Sequence, residues 1–186
     1  MVRIAVVIVL LCASAAAYSE TIDEKAAICA ACHGEKGLPK EPSIPIIWGQ
    51  NAGYLYLQFL DFQKGARKDE RMTPIAGSVP KEDALALAEY FAAKPWPSTG
   101  APAASKSDEA TAIKVNKTVV CTSCHLAEFQ GSSAVPRVAD QQHDYLLNAM
   151  LDFRSGARAN NPGMSSLMNT VTPEQLAAVA AYLAGF

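Results

Sequence analysis

The sequence predicts an all-α fold in which one helical unit is used twice. Three observations predict it. No stretch alternates apolar and polar residues as a half-buried strand must, whereas capped segments of helical period recur. The chain also repeats itself: Cys121 follows Cys29 and His125 follows His33 by 92 residues, while Pro136, Gln141 and Tyr145 follow Pro45, Gln50 and Tyr54 by 91. The tract Asp61-Phe62-x-x-Gly65-Ala66-Arg67 returns 91 residues on as Asp152-Phe153-x-x-Gly156-Ala157-Arg158, and Met164 and Tyr182 follow Met72 and Tyr90 by 92. One residue is lost after the first His and one regained before the Met.

A first helix is expected from about Ile22, carrying Cys29-Ala30-Ala31-Cys32-His33 at its end. A loop with Pro39, Pro42 and Pro45 follows, because closely spaced prolines cannot continue a helix. The next helix spans roughly Ala52 to Lys64 and stops at Gly65; a loop holding Met72-Thr73-Pro74 precedes a closing helix from near Pro80 to Ala93. The second closing helix has the clearest signals. Thr172 and Gln175 form a capping box with Pro173 at the first helical position, and Leu176, Val179, Ala180 and Leu183 make an apolar stripe. Tyr90 and Tyr182 are expected in the cores of the closing helices.

Residues 1–17 read as a signal peptide: Arg3, then apolar Ile4 to Leu11, then the A-x-A-like Ala15-Ala16-Ala17. The run is shorter than the ~20 residues that span a bilayer, and Cys12 is discarded with it. The remainder divides into a first domain at 18–94, a Pro/Ser/Ala/Gly linker at 95–106 and a second domain at 107–186. At about 80 residues each, the units have marginal cores of their own. Sixteen basic against eighteen acidic residues, with no basic run, exclude a nucleic-acid binder, and half the chain being apolar excludes disorder.

Export would normally direct four cysteines into disulfides. Here they fall as Cys29-x-x-Cys32-His33 and Cys121-x-x-Cys124-His125, the attachment signature of haem c. On a helix, positions i and i+3 share a face, so both sulfurs reach one porphyrin and the His at i+4 meets its iron. Disulfides leave both His unexplained. A four-Cys zinc site needs far closer pairs, and a thioredoxin-like redox pair needs βαβ patterning. The chemistry therefore calls for two covalent haems c, which would also supply the missing core.

His33 and His125 are the proximal iron ligands on this reading, and the repeat selects the distal ones. Met72 lies 39 residues after His33, and of Met150, Met164 and Met168 only Met164 lies 39 after His125. Met150 and Met168 are expected as core filler, and His143 as a solvent-facing residue at a helix start. Imidazole plus thioether saturates the iron, and the soft sulfur favours Fe(II), raising the potential. With no open iron position, such a centre passes electrons and makes no bonds. Each ligating His needs an acceptor for its other ring N–H. The carbonyls of Pro45 and Pro136 are candidates, and loop rigidity is the competing explanation of these prolines. Arg67 and Arg158, on Gly-x-Arg turns, suit either the haem propionates or the carbonyl ends of the preceding helices. Trp48, Tyr54 and Tyr145 are expected to pack on haem.

These motifs carry a resemblance. Cys-x-x-Cys-His-Gly at 29–34, Pro45-x-x-x-Gly49-Gln50, Tyr54-Leu55, Gly65-x-Arg67, Met72-x-x-x-Ala76 and Ala88-x-Tyr90-Phe91, mostly repeated in the second copy, resemble the dihaem cytochromes c of the cytochrome c4 type, a tandem of two class I cytochrome c domains. The resemblance implies a periplasmic electron shuttle to a terminal oxidase, with two His/Met haems facing each other near a domain interface. It also implies that the Pro45 and Pro136 carbonyls accept from the haem His. The chain departs from the pattern at Leu126, where Gly is usual after the His, at Asp140, which replaces the Gly of the second Gly-Gln pair, and at Ile46-Ile47-Trp48. The expected partners are redox proteins: a membrane oxidase, a quinol-oxidising complex or a periplasmic dehydrogenase whose electron-accepting subunit this would be. Peripheral membrane association is a further expectation, and a small dihaem enzyme the least favoured alternative. Residues 18–97 carry nine basic against eleven acidic residues and 98–186 six against seven, so a small, weakly polar partner contact is expected.

Overall fold

The computed structural model describes residues 20–186, so the expected signal peptide lies outside the described residues. Within them the fold is helical: α1 (Ile22–His33), α2 (Ala52–Gln63), α3 (Met72–Ser78), α4 (Lys81–Ala92), α5 (Lys106–Val119), α6 (Thr122–His125), α7 (His143–Ser155), α8 (Pro162–Met168) and α9 (Pro173–Ala184). Among the described residues the only β pairing is an isolated bridge between Ser132 and Val135.

The two halves repeat one packing scheme. In the first, α4 lies against α1 and α2, and α2 against α3; in the second, α9 lies against α5 and α7, and α7 against α8. Each closing helix buries an apolar stripe. Leu87, Ala88 and Phe91 of α4 are at most 2% exposed, and Leu176 and Ala180 of α9 at most 1%. Burying a Leu or Phe side chain fully stabilises by about 1.5–3 kcal/mol, which outweighs the modest propensities of such short helices. The capping box at Thr172 and Gln175 is formed, and a second one, Thr21 with Glu24, starts α1. Tyr90 and Tyr182 are partly buried on their closing helices, the former donating to Asp23 at 2.8 Å.

Two elements differ from expectation. The Met72-Thr73-Pro74 loop is the first turn of α3. Pro74 is accommodated there because N–H groups of the first turn have no intrahelical acceptor to lose. The second copy of the opening helix is broken. α5 ends at Val120 in the left-handed region (φ 52°, ψ 52°), and the second Cys-x-x-Cys-His forms its own turn, with the His125 N–H bonded to the Cys121 carbonyl at 3.0 Å.

The segment between α4 and α5 is pinned to the surface. Asp140 Oδ1 accepts from the Thr99 N–H at 3.0 Å and hydroxyl at 2.6 Å, and the Arg137 guanidinium lies 4.7 Å above the Trp96 ring. Asp140 thereby explains one departure from the repeat. Gly49 has φ 67° and Asp140 φ 53° at the matching position, a conformation Asp tolerates better than most residues while its carboxylate grips the linker.

Leu126 has no such compensation. Gly34, after the first His, sits at φ 89° and a Cβ there would strike the Leu38 carbonyl, whereas Leu126 adopts φ 66°, ψ 171°. That region is essentially Gly-only and costs about 1–3 kcal/mol for other residues. The Leu126 side chain is 37% exposed and loses little by deletion. Leu126→Gly is expected to stabilise the protein by ~1 kcal/mol after the extra chain entropy of Gly is subtracted, read as a higher denaturant midpoint with an unchanged slope.

Candidate haem sites

One cavity of about 1000 Å³ runs through both halves and is lined by the two Cys-x-x-Cys-His motifs together with Met72 and Met164. Each His is aimed by one strong bond. His33 Nδ1 donates to the Pro45 carbonyl at 2.8 Å, and His125 Nδ1 to the Pro136 carbonyl at 2.9 Å. Each ring is at most 9% exposed, and its Nε2 makes no hydrogen bond to protein among the described residues. Burial pushes both imidazoles below the ordinary histidine range, so both are neutral at physiological pH with Nε2 as a lone-pair donor. That tautomer is the one a metal requires.

The methionines are placed by a device that motif reading missed. Met72 opens α3 with its N–H held by Asp69 Oδ1 at 2.8 Å, and Met164 lies in the first turn of α8 with its N–H held by Asn161 Oδ1 at 3.0 Å. Asp69 and Asn161 stand 92 residues apart, a repeat of polarity rather than identity, and hence invisible to a search for identical residues. Met150 and Met168 are buried in the second-half core, as expected of filler. His143 starts α7 with its side chain 43% exposed, bonded to Asp144.

The alternative cysteine chemistries are not built. The four cysteines are unpaired with one another, and no group of three or more His, Cys, Asp or Glu is gathered for a metal among the described residues. Burial pushes the Cys29 thiol up to about 11 and raises Cys121 as well, so both are protonated thiols.

Of the expected haem-packing aromatics, Tyr54 and Tyr145 line the cavity and Trp48 does not. Trp48 packs over Gly37, where a Cβ would meet its ring at 2.5 Å, and faces Lys94 at 5.8 Å. The aromatic before a Gly-Gln pair served as a buttress of the first loop rather than a wall of the site.

The arginines meet between the halves. Arg67 donates to Gln58 Oε1 at 2.9 Å and to the Tyr145 hydroxyl at 3.3 Å; Arg158 donates to the same Gln58 oxygen at 2.9 Å and to the Tyr54 hydroxyl at 3.2 Å. Each also lies over a Phe of its own half, Phe62 at 4.7 Å and Phe153 at 4.3 Å. Burial works to raise the Tyr145 phenol, yet the two guanidinium groups pull it below the usual range; its partner Tyr54 is raised by burial and by Tyr145. Neither arginine has a carboxylate within ion-pair distance among the described residues. Arg158 is only 8% exposed. Two sheltered cations converging on one amide oxygen and two phenols, with no carboxylate beside them, call for anions. A haem has two carboxylates, and the donor set, the cavity and this unbalanced charge all fit two such groups.

The inter-half contacts obey a pseudo-two-fold rule. The Tyr54 N–H donates to the Ser133 carbonyl and the Tyr145 N–H to the Pro42 carbonyl, each at 3.0 Å. Asn51 Nδ2 donates to the Gln130 carbonyl at 3.2 Å, and Gln142 Nε2 to the Pro39 carbonyl at 3.1 Å. Gln50 and Gln141 are likewise reciprocal, which is the signature of an isologous contact between duplicated units.

Comparison with known proteins gives the family. The Cytochrome c family model matches residues 114–185. The chain is 32% identical to a cytochrome c4 of Azotobacter vinelandii over 180 residues, covering 87% of this chain and 85% of the relative. It is 30% identical over 167 residues to a thiosulfate dehydrogenase electron acceptor of Stutzerimonas stutzeri, covering 84% and 77% respectively. Among solved structures, the cytochrome c4 of Acidithiobacillus ferrooxidans superposes with a TM-score of 0.78 at 27% identity, covering 86% of this chain and 99% of that one. Duplicated fold, paired attachment motifs and whole-length similarity converge: the chain belongs to the cytochrome c4 family of dihaem electron-transfer proteins.

Proposed function

We propose that this protein is a periplasmic shuttle moving single electrons between a respiratory donor and a terminal acceptor, with one haem domain at 18–94 and another at 107–186. When bound, each haem c supplies a one-electron Fe(III)/Fe(II) couple. Cys29 and Cys32 would anchor the first and Cys121 and Cys124 the second, with His33 and Met72, and His125 and Met164, holding the iron of each. Pro45 and Pro136 hold the proximal imidazoles, while Arg67 and Arg158 would neutralise propionates. The observation that carries the reading is the doubled set of a neutral, aimed imidazole and a capped methionine around one apolar cavity. With one His and one Met committed to each iron, no position would be left for substrate, and the role this supports is carrying electrons rather than bond chemistry.

Ile28 and Val120, each directly before the first Cys of its motif, are 55% and 50% exposed while lining the cavity. They support a small, weakly polar contact with redox partners. No helix among the described residues is long and apolar enough to cross a membrane. The relative named for thiosulfate dehydrogenase favours a second reading, in which the donor is a periplasmic dehydrogenase of that kind. Rapid reduction of the oxidised protein by such an enzyme with thiosulfate, and not by a quinol-oxidising complex, selects it.

The optical spectrum tests the central reading. The oxidised holoprotein is expected to be low-spin, with a weak far-red Fe–Met band accounting for two haems per chain. High-spin iron, or a band accounting for one haem only, overturns it.

A further inference from the structure

We propose that each half of the protein sets the reduction potential of the haem in the other half, through Gln141 for the first haem and Gln50 for the second. The inference rests on His33 and His125 being the proximal ligands, and it goes beyond that reading.

The Pro45 carbonyl that accepts from His33 belongs to the same peptide group as the Ile46 N–H. That N–H donates to Gln141 Oε1, across the interface, at 2.8 Å. Gln141 Nε2 returns a bond to the Ile46 carbonyl at 3.0 Å. The mirror arrangement holds in the second half. The Pro136 carbonyl accepts from His125, and the N–H of the same peptide, on Arg137, donates to Gln50 Oε1 at 2.8 Å while Gln50 Nε2 bonds the Arg137 carbonyl at 2.9 Å. The amide orientations are dictated by their neighbours. Each Oε1 also accepts from the N–H of the following residue, Gln142 or Asn51, at 2.9 Å, and a backbone N–H can only donate. Gln141 is 2% exposed and Gln50 3%, so water does not compete for these bonds.

A peptide whose N–H is bonded becomes more polarised, and its carbonyl a stronger acceptor, by roughly 10–30% per bond. A stronger acceptor draws the Nδ1 proton and makes the imidazole a better donor at Nε2, which favours the ferric state and lowers the potential. The two chains of bonds cross the interface in opposite directions, so docking of the halves lowers both potentials, each through the other half's glutamine.

The test is haem-resolved redox titration of the holoprotein, with each haem followed by its own methyl resonances. Gln141→Met is expected to shift the oxidised/reduced equilibrium of the first haem about threefold toward reduced, ~28 mV upward at 59 mV per tenfold, and to leave the second unmoved. Gln50→Met should do the converse. Gln141→Glu keeps an acceptor oxygen and should not raise the potential. Asn51→Ala removes two side-chain bonds between the halves and Gln142→Ala one, without touching either peptide, and both variants should leave both potentials unchanged. In the reduced protein the His33 ring N–H resonance should move upfield in Gln141→Met, a change mere loosening does not direct to one ring. Should Gln141→Met fail to fold, Gln141→Asn withdraws the acceptor and carries the same expectation. A shift confined to the variant's own half, an equal shift of both haems, matching shifts in the Asn51 and Gln142 variants, or no shift each overturns the proposal. A wild-type spectrum without low-spin, Met-ligated haem defeats instead the ligand assignment beneath it.

Discussion

Exchanging Met72 for histidine is expected to lower the potential of the first haem by a few tenths of a volt, within the ~0.8 V range that axial ligands span, and to remove its far-red band while sparing the second. Thioether is a soft donor that prefers Fe(II), whereas a second imidazole stabilises Fe(III). The site should tolerate the exchange because backbone, not side-chain packing, fixes position 72. Asp69 caps its N–H, and α3 is clamped to α2 by Gln63 Nε2 bonding the Ala76 and Val79 carbonyls at 3.0 Å each. Met164→His should have the converse effect, since Asn161 caps that position likewise. Met150→Leu and Met168→Leu should leave both midpoints in place, because these side chains fill core. Midpoints and spectrum that ignore the Met72 and Met164 exchanges would falsify the ligand assignment and with it the shuttle.

What could be read in the sequence divides along a physical line. Interactions within about four residues are written in residue types, and the capping box at Thr172 and Gln175 appears as expected. So do α2 and α4, whose ends fall within one residue or so of the expected limits. The duplication made ligand candidates separable, because only Met164 shares the register of Met72. Where a residue type admits two conformations, reading failed. Pro74 looked like a helix breaker and stands in a first turn, and Val120, a poor left-handed residue, breaks the second opening helix. Contacts between the halves were beyond reach for another reason. Gln50 and Gln141 were visible as repeated letters, but nothing local says that a buried amide will find its partner 87 or 95 residues away. Arg67 and Arg158 stood between a helix-end role and a propionate role. Their convergence on Gln58 and on the opposite half's tyrosines, away from any carboxylate, favours the second.

Removing the first attachment point, by Cys29→Ala with Cys32→Ala, is expected to unfold most of the first half while the second half stays folded. The two cores are unequal. The second-half cluster runs from Ala112 on α5 to Ala184 on α9 and includes Phe129, Phe153 and Leu176. The first-half cluster is smaller, with Ala26, Cys29, Leu55, Leu87, Ala88 and Phe91 buried in it and Ile44, Ile46, Phe62, Ala76 and Ala84 buried outside it, and four of these eleven are alanines. A unit of about 80 residues with so little apolar burial cannot offset roughly 1–2 kcal/mol of backbone entropy per residue. The cavity walls Leu57 and Ile75 stand outside that cluster and would pack on the haem. Circular dichroism of the double variant should therefore lose the larger part of the signal of α1 to α4, leaving a single transition with the second haem's spectrum intact. The matching change at Cys121 and Cys124 should cost less helicity, because α5, α7 and α9 keep a core of their own. The inter-half bonds set how much of the first half survives. If they alone held it, Gln50→Met and Gln141→Met in the double variant would release the remainder. Equal helix loss from the two cysteine pairs would show that the haems, not the unequal side-chain cores, carry the stability of both halves.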